Sequence, residues 1–122
     1  MKLLHITIFL SVMFVCPSWL YAEDDPGLEY CKDVSVMARE IMEKRQEGAP
    51  LEQLIEEFSR ADVYGARYLA ESISNEAYSF PLVTDDFRGV PREGIIDISI
   101  VMFAQKYQQN CNELYWFYKG NF

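Results

Sequence analysis

Ile95-Ile96-Asp97-Ile98-Ser99-Ile100-Val101-Met102-Phe103-Ala104 is the stretch on which the fold turns. Read as a strand, Ile96, Ile98 and Ile100 alternate with Asp97 and Ser99, and isoleucine suits a pleated sheet. Read as a helix, the stretch runs on without a turn signal through Gln105-Lys106-Tyr107-Gln108-Gln109-Asn110 into Cys111. A strand needs a pairing partner, and Leu82-Val83-Thr84 is the one candidate. We therefore read a helix from about Arg92 to Leu114, apolar on more than half its circumference as a central helix is.

Working back from it, residues 79–91 hold Pro81, Asp85-Asp86, Gly89 and Pro91 and read as an ordered connection. Its apolar members Phe80, Leu82, Val83 and Phe87 are expected to pin it to the surface. A helix from about Asp62 to Tyr78 precedes it, with Val63, Ala66, Leu69, Ala70, Ile73 and Ala77 as its apolar stripe and Gly65 weakening it slightly. A short helix places Leu51, Leu54, Ile55 and Phe58 inside and Glu52, Glu56 and Glu57 outside. The first helix opens on Asp25-Pro26, buries Cys31, Val34, Ala38, Ile41 and Met42, and stops at Gly48 before Pro50. The fold class expected is thus all-α, a small four-helix domain closed by one long-range disulfide.

Residues 1–22 carry the order of an export signal: Lys2, an apolar core from Leu3 to Val15, a break at Cys16-Pro17-Ser18, then Ala22 before an acidic run. The core is short for a bilayer span, which takes about 20 residues. Removing the signal leaves 100 residues, 23–122, enough for a single domain with one core. All 19 acidic residues and ten of the 11 basic ones remain, a net charge of −9. Such a surface repels nucleic acid and anionic lipid headgroups, so neither is expected as a partner, nor is stable membrane insertion after signal cleavage. It suits a basic protein of the envelope. Periplasmic or secreted localisation follows from the signal, and an oxidising compartment pairs Cys31 with Cys111. That bond closes a loop of about 80 residues, and loop entropy gives it a value of about 4.5 kcal/mol.

The mature chain has no histidine, since His5 lies in the signal. Ser-His-Asp and Cys-His sites cannot be assembled within it, histidine-ligated zinc is excluded, and no Gly-rich phosphate loop is present. No metal or other cofactor is expected. What remains for catalysis is carboxylates: Glu52 with Glu56 one turn apart, Glu56-Glu57, and Asp85-Asp86 in the connection. In so acidic a chain these read first as a solvated face. Arg45 complements the end of the first helix dipole, and Arg67 is placed to pair with Glu71 at i,i+4.

Tyr115-Trp116-Phe117-Tyr118 set four rings side by side near the end of the chain, and Phe122 ends it. Four consecutive rings cannot all face one core. They fold back over the bundle, with Lys119-Gly120-Asn121 as the turn, or they face a partner.

Cys31, Ala38, Ile41-Met42, Arg45-Gln46, Gly48, Pro50, Ala77-Tyr78, Pro81 and Cys111 together resemble a family of short exported proteins found in proteobacteria and their phages. The resemblance implies an all-helical fold and supplies no activity or catalytic residue. Glu52 departs from it, standing where a small capping serine is expected, and the aromatic tail is longer. Three functions are carried forward. The first is a non-enzymatic exported domain that binds another protein of the cell envelope. The second is an acid-stress periplasmic chaperone, loosened when protonation of 19 carboxylates reverses its charge. The third is a carboxylate-based hydrolase.

Overall fold

A computed structural model describes residues 25–120. The expected export signal, and with it Cys16 and the expected cleavage site, lies outside those residues, as do Asn121 and Phe122. Among the described residues the chain forms helices α1 (Pro26–Gln46), α2 (Leu51–Phe58), α3 (Ala66–Ser79) and α4 (Arg92–Gly120). The sole β feature among the described residues is an isolated bridge between Phe87 and Val90. The all-α reading of residues 95–104 holds, and Cys31 and Cys111 are bonded, their Cα atoms 5.4 Å apart.

α1 starts where Asp25 accepts a hydrogen bond from the Gly27 N–H at 3.0 Å, with Pro26 in the first turn. It ends in a Schellman pattern: Gly48 N–H donates to Arg45 O at 3.0 Å and Ala49 N–H to Lys44 O at 2.9 Å. Between them Val34, Met37, Ala38, Ile41 and Met42 are buried at helical spacing. Leu54 and Phe58 of α2, Ala66, Ala70, Ile73 and Ala77 of α3, and Ile100 and Phe103 of α4 complete one core. α2 begins at Leu51 without a side-chain cap, its first turn introduced by Pro50.

Three expectations need correction. The central helix is α1, which neighbours all three others; α4 lies alongside α1 alone and reaches α3 only through side chains. The inner face of α4 is served by Ile100, Phe103 and Ala104, so Ile98, Val101 and Met102 are left exposed. Secondly, α3 starts at Ala66, later than expected, because Gly65 stands before it with φ +73°, a left-handed conformation that ends the preceding turns. Thirdly, α4 does not stop at Leu114 or turn back at Lys119-Gly120 but carries the four rings on to Gly120.

The 79–91 connection is ordered, though polar groups hold it more than its apolar members do. Phe80 packs its ring edge-on against Phe103 as expected of an anchor, but Leu82 and Phe87 are exposed. Gln46, buried in α1, donates to Pro81 O at 3.2 Å and accepts from Val83 N–H at 3.0 Å. Arg45 donates to Phe80 O at 3.3 Å while its guanidinium lies 4.1 Å from the Tyr78 ring centre. Arg92 Nε reaches Val83 O at 2.9 Å, and Asp86 accepts from the Arg92 N–H at 2.7 Å. Arg45, Gln46, Tyr78 and Pro81 therefore meet in one knot where α1 and α3 end.

Candidate functional site

α1 and α4 run antiparallel. Cys31 near the start of α1 meets Cys111 in α4, whereas Gln46 at the end of α1 shares a cavity wall with Ile96 and Ile100. At 1.5 Å per residue, about 8 Å of α1 precedes Cys31 but about 13 Å of α4 follows Cys111. The last four residues of α4 consequently project beyond the start of α1, and this overhang carries Phe117 and Tyr118, while Trp116 and Tyr115 stand level with Pro26 and Gly27.

They divide by direction. Tyr115 turns inward: its hydroxyl donates to Asp25 Oδ2 at 2.5 Å, and its ring covers Gly27 so closely that a Cβ there would lie inside it. Trp116, Phe117 and Tyr118 keep 53, 65 and 55% of their surface exposed, joined by Leu114. One ring of the four thus packs on its own domain and three are exposed. Neighbouring rings pair edge to face, Tyr115 with Trp116 at 5.4 Å and Phe117 with Tyr118 at 5.9 Å. Lys119 lies 5.3 Å from the Trp116 ring and 5.5 Å from that of Tyr115.

Asp25 anchors this end. It receives Lys119 Nζ at 2.7 Å, then the Tyr115 hydroxyl and the Gly27 N–H, and these donors hold its carboxyl at about 2, below the ordinary 3.8. Sequence reasoning saw Asp25 only as a helix cap; no local pattern ties it to residues ninety positions away. Because the folded chain releases this proton more readily than the unfolded one, the stabilisation is full above 3.8 and is lost as pH falls through about 2. An Asp25→Asn chain keeps the cap and loses the charge. Its unfolding should show a shallower dependence on pH across that window, and unchanged slopes in the two proteins would refute the linkage.

Gly27 supplies a second check. Alanine favours a helix over glycine by ~1 kcal/mol, yet Gly27→Ala must displace the Tyr115 ring, and overpacking of that kind costs ~1–3 kcal/mol. We expect Gly27→Ala to lower the melting temperature, but to leave it level or raise it in a Tyr115→Ala background. Equal effects in both backgrounds would mean the ring is not the obstacle.

A smaller tie joins α3 to α4. Burial works against ionisation of Glu76, but hydrogen bonds from Lys106 and Tyr107 outweigh it and its carboxyl lies below the usual range. Tyr107 is pushed up by burial and by that same carboxylate.

Of the remaining sequence candidates, Glu52, Glu56 and Arg67 line one open cavity between α2 and α3, and Asp85 and Asp86 lie apart from it in the connection. Glu52 and Glu56 sit on the exposed side of α2, Glu56 paired with Arg60 at 2.9 Å. Asp85 and Asp86 are exposed in the connection, engaged by the Thr84 hydroxyl and the Arg92 N–H. Arg67 pairs with Glu71 at 3.5 Å as its spacing predicted. Among the described residues no cluster of three His, Cys, Asp or Glu could hold a metal ion, and no helix is long and apolar enough to cross a membrane. One feature had no sequence signal: at the tip of the connection Arg88 adopts φ +49° beside Gly89, its guanidinium 5.1 Å from the exposed Phe87 ring.

Comparison with protein-family models, curated proteins and solved structures finds no match.

Proposed function

We propose that this chain is a non-enzymatic exported domain that binds another protein of the cell envelope, a basic one, through the ring-bearing end of α4. One observation carries the reading. Trp116, Phe117 and Tyr118 follow one another on a helix, so they point in three directions, and all three remain exposed. A helix apolar on every side is normally buried in something, and α1 ends before it can cover this turn. Exposed aromatic clusters are the usual anchors of protein interfaces. The charge of −9 favours a basic partner and fast electrostatic encounter. The export signal and the disulfide support an envelope or extracellular setting.

The test compares the intact domain with a Phe117→Ser, Tyr118→Ser variant as baits in envelope extract of the producing cell, at low and high salt. Neither ring belongs to the Asp25 tie, so the variant should fold. A basic protein retained by the intact domain, weakened by salt and lost with the variant is the expected result. Identical captures by the two baits would overturn the assignment of the surface.

The acid-chaperone reading draws on a separate observation. Outside the disulfide, the side-chain ties of α4 to α1 and α3 at Asp25 and Glu76 both depend on carboxylates, so strong acid weakens them together. Suppression of client aggregation near pH 2 by the oxidised domain supports that reading; unaltered aggregation removes it.

A further inference from the structure

Ile98, Met102, Gln105, Gln109, Asn112 and Trp116 follow one another along α4 in steps of four, three, four, three and four residues. That is the alternation of a coiled-coil seam. Ile98 and Met102 expose 55 and 64% of their surface, Gln105, Gln109 and Trp116 are exposed, and Asn112 is half-buried. The line spans about 27 Å and lies away from the side met by Ile100, Phe103, Ala104 and Cys111, except that the Asn112 Oδ1 is buried within the single chain.

No member of the line is charged. The outward sides of the other helices all carry acids: Glu40, Glu43 and Glu47 at the end of α1, Glu52 on α2, and Glu56, Glu57 and Glu71, which are paired with Arg60, Lys44 and Arg67. Two copies of a domain with a net charge of −9 repel one another over those faces. They can approach closely along α4. The line is also nearly palindromic, with large apolar groups at its ends and amides at its centre. A two-fold axis midway between Gln105 and Gln109 sets Ile98 against Trp116 of the second copy, Met102 against Asn112, and Gln105 against Gln109.

We propose that α4 pairs antiparallel with α4 of a second copy along this line, making the protein a two-fold dimer. Antiparallel pairing opposes the two helix dipoles and keeps Asp97, Lys106 and Glu113, which flank the line, from facing their own counterparts. A parallel pair would stack each against its like. Central amides in such a seam fix register at some expense of affinity, so the dimer is reversible and concentration-dependent. Phe117 and Tyr118, about 100° and 200° further round the helix than Trp116, stay outside the seam. The pairing goes beyond the proposed function and does not depend on it.

The experiment is sedimentation equilibrium of the oxidised domain over a wide concentration range, beside Met102→Glu and Ile98→Glu. Both side chains are exposed in the single chain, so both variants should keep its helicity and melting temperature. The expected result is a mass that doubles with concentration and a dissociation constant raised at least tenfold by either glutamate. A mass of one chain throughout, or doubling that both variants leave untouched, overturns the pairing. Orientation is read with a short bismaleimide on mixed Ile98→Cys and Trp116→Cys chains. Cross-linking between the two variants is expected; cross-linking of Ile98→Cys to itself overturns the antiparallel arrangement.

Discussion

Replacing Cys31 and Cys111 together by alanine should lower the free energy of unfolding by about 4.5 kcal/mol, from the loop-entropy relation applied to a separation of 80 residues. Alanine is the better substitute, because a serine at Cys31, 1% exposed, would bury an unpaired hydroxyl. A domain of this size is stable by only ~5–15 kcal/mol, so the loss is a large share of the total. It falls mainly on α4, the one helix with a single helical neighbour. Denaturant titrations of the oxidised protein and the double variant measure the difference. A change below about 1 kcal/mol would show that the unfolded chain gains little freedom when the bond is absent.

Phe103→Ala should be nearly as damaging, at ~3–5 kcal/mol. The ring is 2% exposed and meets Phe80 edge-on at 5.6 Å and Tyr107 at 5.1 Å. It is the largest group α4 sends into the core, and it also props the start of the connection through Phe80. Its removal leaves a cavity that Ile100 and Ala104 are too small to fill. The neighbouring Met102 faces solvent, so Met102→Ala in dilute protein should fall within about 0.5 kcal/mol of the parent. Comparable losses for the two would contradict the orientation of α4.

Helical spacing was enough to find the four helices, because each has a buried stripe of Leu, Ile, Met, Phe or Ala that repeats on one side. The pairing of Cys31 with Cys111 followed from there being no other mature cysteines. Rank within the bundle was not readable. Residues 95–104 are the most apolar in the mature chain, which argued for a central position, yet α1 takes that place and Ile98, Val101 and Met102 stay outside. Apolar content alone does not tell a core face from a second exposed one. The connection was misjudged for a related reason: Phe87 and Leu82 looked like anchors, whereas the work is done by Gln46, Arg45 and Arg92, whose partners are backbone groups that no side-chain pattern reveals. Of the candidate surface, the four rings were visible as a block. Their division into one docked on Gly27 and three exposed depends on how far α4 outruns α1, and the spacing of residues could not supply that length.

The 84–90 stretch is exposed along its whole length and displays Arg88 at its tip, where a trypsin-like protease would cut first. Yet α4 is fastened twice, by the peptide chain before it and by the bond from Cys111 to Cys31 behind it. A nick at Arg88 therefore breaks the backbone without releasing a fragment. The cleaved molecule should migrate as one species under non-reducing conditions and as two after reduction, so that a cut in the backbone does not by itself separate the two halves of the domain.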